Sequence, residues 1–260
     1  MAQAPNYDAK SSANSCLMSF PSWLHWLDQT PSTNSWSIEH LEQLQHGDVV
    51  FTPQQTAGRG QFDRVWHSPP GVLTASFILD GLDPAKQSGL SLAVGLAVIY
   101  AIEDLAACPN CLQLKWPNDI WYDQRKLAGI LCEVSKDRLV VGIGCNLRVD
   151  FTATGLRDRI SGNPISLHQI YAPVITELAL LEKLRHYLLE TAGILQYQGL
   201  EPLLPALRQR DGLLDRSISL ELSQETIHGT GAGINYLGHL QIMTGRQIQS
   251  FAAGRVHYCL

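Results

Sequence analysis

The chain has 260 residues, 45% of them apolar and 17% charged, and a formal net charge of −5. This composition excludes the disordered and fibrous classes, and the acidic balance argues against broad nucleic-acid affinity, which leaves a basic footprint. The length suits one large domain plus a small one.

In chain order, residues 1–21 mix Ala, Ser, Asn and Pro without periodicity and read as a loose tail. No export signal is expected, because the early apolar run Cys16 to Met18 is too short and the first basic residue is Lys10. With six cysteines, that points to reduced thiols and a cytoplasmic setting. "SWLHWLDQT" reads as a first strand, and "PSTNSWSIEHLEQL" as a turn feeding a helix capped by Ser32 or Thr33. "GDVVFTPQQ" is a short strand, followed by a loop and the strand "GVLTASFIL". Leu90 to Ala107 reads as a buried helix; its apolar core, Leu90 to Ile102, contains Ser91 and Gly95 and falls short of the roughly 18 residues of a membrane span.

Runs at 112–116, 119–122, 126–134 and 139–146, separated by short polar breaks, predict an antiparallel meander. A helix is expected over 174–195, with Leu178, Leu181, Leu184 and Leu188 on one face, and a short one over 199–209. After Gly212 the texture changes to short alternating strands punctuated by glycine, which suits a small barrel of about five strands. The boundaries expected are a tail at 1–21, a main domain at 22–211 and a small domain at 212–260. In "CPNC", Cys108 and Cys111 have metal or redox spacing without a second ligand pair nearby, so they read as partly buried thiols at a helix end.

The stretch "TAGRGQFDRVWHSPPG" joins two glycines and two arginines to a lone tryptophan. Gly58 and Gly60 let backbone N–H groups approach a ligand; Arg59 and Arg64 suit a phosphate or carboxylate; Trp66 offers a face for a flat ring. No Gly-Lys-Ser/Thr follows, which excludes a Walker A loop, and a strand rather than a helix follows, which excludes a dinucleotide fingerprint. Alone, such a loop is also compatible with a solvated turn. Further on, "KWPND" ends a strand in a turn carrying Asn118 and Asp119, and "KLAGIL" sets Lys126 at a strand head with small Ala128 expected on its face. "GIGCN" adds a glycine-opened backbone at Gly142 and ends on Asn146.

"STN", "QTAGRG", "KWPND", "KLAGIL" and "GIGCN", in this order and at these intervals, closely resemble the biotin protein ligases, from about Ser32 to the C-terminus. The resemblance implies an α+β fold: a class II synthetase-like domain with a mixed, largely antiparallel sheet packed with helices, plus a small SH3-like β-barrel. It also implies a reaction in which the carboxylate of biotin attacks the α-phosphate of ATP. The resulting biotinyl-5′-AMP then acylates a lysine of a biotin carboxyl carrier protein, that of acetyl-CoA carboxylase. Magnesium accompanies the ATP, near Asp119. No nucleic-acid or membrane partner is implied, and the chain is expected as a monomer or homodimer.

By the same resemblance, Ser32, Thr33 and Asn34 line the ureido end of biotin and Gln55 approaches the same ring system. Gly58, Arg59 and Gly60 form a closing loop, with the Arg59 backbone near the biotin carboxylate. Arg64 faces the phosphates and Trp66 the adenylate. Lys126 is the main catalytic candidate, joined by Arg59, Arg64 and Asp119; Asn118 and Asp119 support nucleotide or metal. Gly142 offers backbone to biotin, and Asn146 lies on the adenine side. The loop departs from the "GRGRxGRxW" of many members: Gln61 stands for an arginine and Asp63 for a glycine, so a leakier adenylate is expected. Three alternatives stay open: a lipoyl or octanoyl transferase, a biotin-responsive regulator and an inactive biotin binder. Only about 30 residues precede "STN", too few for a helix-turn-helix.

Overall fold

The computed structural model describes residues 20–62, 64–82, 89–152, 163–171 and 174–258. Nearly all of the expected tail, and Asp63, lie outside them. Seven strands form the main sheet: β1 (Leu24–Trp26), β2 (Val49–Thr52), β3 (Val72–Leu79), β4 (Gln113–Lys115), β5 (Asp119–Tyr122), β6 (Arg125–Ser135) and β7 (Arg138–Asn146). Their spatial order is β1-β2-β3-β7-β6-β5-β4; β1 runs parallel to β2 and every other pair is antiparallel. The meander over β4–β7 is therefore as expected.

The apolar run of β3 is buried along its whole length because both faces of the sheet are covered. Leu73, Ala75, Phe77 and Leu79 join the main core, while Ile78 packs with Leu41, Leu44, Val50 and Val140 beneath α1 (Thr33–Glu39). The main core is closed by α2 (Leu90–Ala106) and α3 (Glu177–Gln198). Gly95 lets α2 approach the sheet: a Cβ there would sit 2.2 Å from the Leu114 side chain. The third helix starts and ends about three residues later than expected, because Thr176 caps it by accepting from Ala179 N at 3.2 Å and Gly199 (φ 72) stops it. The expected 199–209 helix resolves into a 3-10 turn and α4 (Leu204–Gln209).

A second, antiparallel sheet follows, made of β8 (Ser217–Glu221), β9 (Thr226–Ile234), β10 (Leu240–Thr244), β11 (Gln247–Phe251) and β12 (Arg255–Tyr258), in the order β11-β10-β9-β8-β12. Its apolar side (Ile218, Leu220, Leu240, Ile242, Val256) belongs to the same buried cluster as Phe77 and Trp121 of the first sheet and Leu96 of α2. Trp116 Nε1 donates to Gly238 O at 3.0 Å, and Tyr258 OH to Gln124 O at 3.0 Å. Between the sheets, Leu114 N donates to Arg210 O and Gly212 N to Leu114 O, covering the outer edge of β4. Arg210 also makes a buried two-point ion pair with Glu103 of α2 at 2.8 and 2.7 Å. Burial alone would raise the Glu103 pKa, but the Arg210 hydrogen bonds and the backbone amides beside it hold that carboxyl below its ordinary value. Cys108 and Cys111 lie just beyond α2, partly buried, with sulfurs 3.5 Å apart.

Candidate active site

A cleft of about 300 Å³ opens on the face of the main sheet not covered by α2 and α3. Its floor is built by strand alternation. On β7, Val141, Ile143 and Cys145 enter the core, which turns Gly142, Gly144 and Asn146 toward the cleft. The glycines make room that a side chain would fill: a Cβ at 142 would meet Asn34 Oδ1 at 2.4 Å, and one at 144 would meet the Trp66 indole at 2.3 Å. The register of β6 shifts against β5 between Ile120 and Trp121, so that Ile120 faces Ala128 but Trp121 faces Lys126. This bulge corrects one expectation. Ala128 is buried in the core, and the small residue beside Lys126 is Gly129, whose Cβ would lie 3.3 Å from Nζ. The extra residue re-aims Lys126 onto the cleft face.

Lys126 Nζ is 2.6 Å from Asp119 Oδ1 and 5.4 Å from the centre of the Trp66 ring. Trp66 packs against Val72, Val149 and Phe151, and its buried Nε1 has no hydrogen-bond partner. Asn146 donates to Lys126 O and Ile165 O, both at 3.1 Å, and Asn118 to Ile130 O at 2.6 Å, so both are locked beside the amine. The loop folds back on itself, Trp66 N donating to Gly58 O and Gly60 N to Arg64 O. Gly58 does not line the cleft. It packs behind it, where a Cβ would lie 2.3 Å from Trp66 O. Asp119 likewise reaches the cleft only through Lys126.

The polar end is the first turn of α1. Ser32 Oγ accepts from Ser35 N at 3.4 Å and caps that helix. Thr33 N donates to Gln55 Oε1 at 2.9 Å; Ser76 Oγ lies 2.8 Å from Thr33 Oγ1 and 2.5 Å from Asn34 Oδ1. Both amide hydrogens of Asn34 are engaged, with Leu131 O at 3.2 Å and Glu133 Oε2 at 2.8 Å. The Arg59 guanidinium does not face the cleft alone, because Nη2 is 2.6 Å from the same Glu133 oxygen.

Among the described residues lining this cleft, Arg59, Arg64 and Lys126 are cationic and none is acidic. A smaller adjoining recess of about 180 Å³ holds Arg64, Lys115 and Arg255 beside Asp119. Burial pushes the Lys115 amine below its ordinary pKa, partly offset by Asp119. Such a surface can hold a chain of anionic groups along one line, with a flat ring against Trp66. Ser76, Glu133 and Lys115 escaped the sequence reading. Polar Thr74 and Ser76 alternating inside "VLTASFIL", and the single acid ending "KLAGILCE", were the available signals.

The sequence profile of the biotin/lipoate A/B protein ligase family matches residues 26–150. The biotin–[acetyl-CoA-carboxylase] ligase of Mycobacterium tuberculosis is 29% identical over 97% of this chain and 96% of its own length. The bifunctional ligase/repressor BirA of Salmonella typhimurium is 29% identical over 86% of this chain and 71% of its own length. In structure, the chain is similar to the biotin protein ligase of Aquifex aeolicus solved in complex with biotin and ATP. Those two chains have a TM-score of 0.79, with 27% identity over 91% of this chain and 99% of that one. Residues 26–150 thus match a biotin/lipoate A/B protein ligase domain, in a chain that is similar in sequence and fold to biotin protein ligases.

Proposed function

We propose that the protein is an ATP-dependent biotin protein ligase that makes biotinyl-5′-AMP and transfers biotin to a lysine of the carboxyl carrier protein of acetyl-CoA carboxylase. The observation that carries the reading is the setting of Lys126: a bulge turns it onto a cleft that Arg59, Arg64 and Gly60 also line, with no acid among the described lining residues. The name of the Mycobacterium tuberculosis relative supports the carrier, and the Aquifex aeolicus complex supports the two small substrates. The division into a catalytic unit at 22–211 and a small C-terminal domain at 212–260 belongs to the same proposal.

The chemistry joins two anions, so fixed positive charge and preorganised donors must offset their repulsion. In this reading the ureido ring meets Thr33, Asn34 and Gln55 at the polar end, over the backbone of Gly142, with buried Ser76 behind Thr33 and Asn34. The biotin carboxylate reaches the Arg59–Gly60 backbone and Lys126 Nζ. A carboxylate oxygen attacks the α-phosphorus, the bond to the bridging oxygen breaks, and pyrophosphate leaves toward Arg64, Lys115 and Arg255. Lys126 shifts from Asp119 to the oxygens on which charge accumulates. Trp66 covers the nucleotide side and its unpaired Nε1 offers a donor there, with Asn118 and Asn146 fixing the floor. In the second half, the acceptor amine attacks the acyl carbon and AMP departs.

Magnesium fits this donor set. A magnesium ion that keeps its waters and phosphate oxygens needs one or two protein carboxylates, and Asp119, beside Lys115 and Arg64, is the carboxylate at the recess. When bound, the ion would neutralise phosphate charge. The test is transfer of labelled biotin to a purified carrier domain in the presence of ATP. Formation of labelled carrier through isolable biotinyl-AMP is expected, whereas transfer of lipoyl or octanoyl groups in place of biotin would overturn the reading.

A further inference from the structure

We infer that Glu133 is a positioning residue that latches the glycine loop to the polar end of the cleft and so sets how long the activated intermediate is retained; this rests on the ligase reading above. After the bulge, the outward face of β6 runs through Lys126, Gly129 and Leu131, which line the cleft, to Glu133, which lines the neighbouring recess, with Ala128 and Ile130 in the core. Glu133 therefore stands on the strand that carries the proposed catalytic amine, at the opposite rim. One of its oxygens accepts from two directions: from Asn34 Nδ2 at 2.8 Å and from Arg59 Nη2 at 2.6 Å. From Asn34 the contacts continue through Ser76 to Thr33 and Gln55. A continuous polar chain thus runs from the loop to the groups that would hold the ureido ring, and such chains couple their ends.

The bonds from Trp66 N to Gly58 O and from Gly60 N to Arg64 O lie within the loop and do not fasten it to the sheet. The bond from Arg59 to Glu133 does, across the mouth of the cleft. Arg59, Gly60, Gln61 and Leu131 also line a neighbouring recess of about 660 Å³ on the other side of the loop. They form the wall between the two spaces, and the ion pair holds that wall in place. Arg59 is 44% exposed, and an ion pair of that exposure adds little to folding stability. Its consequence lies in the loop. The latch also leaves the Arg59 backbone, rather than its guanidinium, to meet the biotin carboxylate.

Glu133→Gln keeps the size and an acceptor for Asn34 but removes the charge. The readings are the rate at which biotinyl-AMP escapes into solution, the KM for biotin, and amide hydrogen exchange of residues 58–62 with and without ligands. Escape is expected to rise on the order of tenfold, as for loss of a charge-assisted hydrogen bond. The loop amides should exchange faster, KM should rise more than kcat falls, and raising the salt concentration should speed escape in the natural protein but not in the variant. Arg59→Gln should reproduce these effects, and the double variant should be no worse than the worse single one. Escape and loop exchange at natural rates in Glu133→Gln, or single effects that multiply in the double variant, would overturn the inference. If Glu133→Gln fails to fold, Arg59→Gln carries the same readings from the exposed side. If the natural protein makes no biotinyl-AMP, the ligase reading fails, and loop exchange in the ligand-free proteins still decides the latch.

Discussion

Gly142 and Gly144 hold the cleft open at two separate places, and each can be closed by one methyl group. A Cβ at 142 would press on Asn34 and one at 144 on Trp66, an overpacking that typically costs about 1–3 kcal/mol. Gly142→Ala should therefore raise the KM for biotin, and Gly144→Ala the KM for ATP, each by about five- to a hundredfold. Steady-state kinetics with each substrate varied in turn checks this; both variants affecting the same substrate would contradict the assignment. Lys126, Asn118, Asn146 and Gly142, singled out in the sequence by their motifs, all line the cleft, whereas Gly144 was not singled out. The partners of Asn34 and Arg59 were not legible either, because Glu133 and Ser76 lie on strands far from them in sequence that only the folded sheet brings together. Gln61 lies where the cleft meets both neighbouring recesses. Gln61→Arg should slow escape of biotinyl-AMP, and equal escape from both proteins would dispose of that idea. Asp63, the other departure, lies outside the described residues.

At the scale of elements, hydrophobic periodicity showed which strands and helices exist, and local bonding decided the rest. The β6 bulge follows from pairing with β5, which no single-strand pattern reveals. The start of α3 follows from the Thr176 cap. The turn after α4 is pinned to α2 through buried charge. Arg210→Met would leave Glu103 buried and unpaired, which typically costs about 3–5 kcal/mol, and chemical denaturation should show a loss of that size. In the side chain of Asp211, next in sequence, one oxygen accepts from Leu213 N at 2.8 Å and the other is buried without a hydrogen-bond partner. Burial pushes its pKa up to about 6. The folded state then holds a proton that the unfolded state has released, so its contribution falls as pH rises from about 4 to about 6 and stays low above that. Asp211→Asn should raise stability at pH 7 by about 1–3 kcal/mol and make little difference near pH 4. Thermal unfolding at the two pH values checks this, and a gain at pH 4 as large as at pH 7 would contradict it.

Over the whole molecule, the change of texture after Gly212 correctly announced a separate sheet. What composition could not convey is that both sheets share one apolar cluster, with Trp116 reaching Gly238 and Tyr258 reaching Gln124 across the junction. The parallel pairing of β1 with β2 was equally hidden, since it depends on the path of the intervening helix. A shared core predicts one cooperative transition, with tryptophan fluorescence and far-ultraviolet circular dichroism coinciding along a urea titration. Two separated transitions would show that the sheets unfold independently. The central claim is that one amine, aimed by a bulge and backed by a cationic loop, lets two repelling anions react. Biotin-dependent exchange of labelled pyrophosphate into ATP by the natural protein and by Lys126→Ala tests it most directly. Exchange that requires biotin, and falls on the order of 10²–10³-fold in the folded variant, is the predicted result. Exchange at the natural rate without the Lys126 amine would contradict the account.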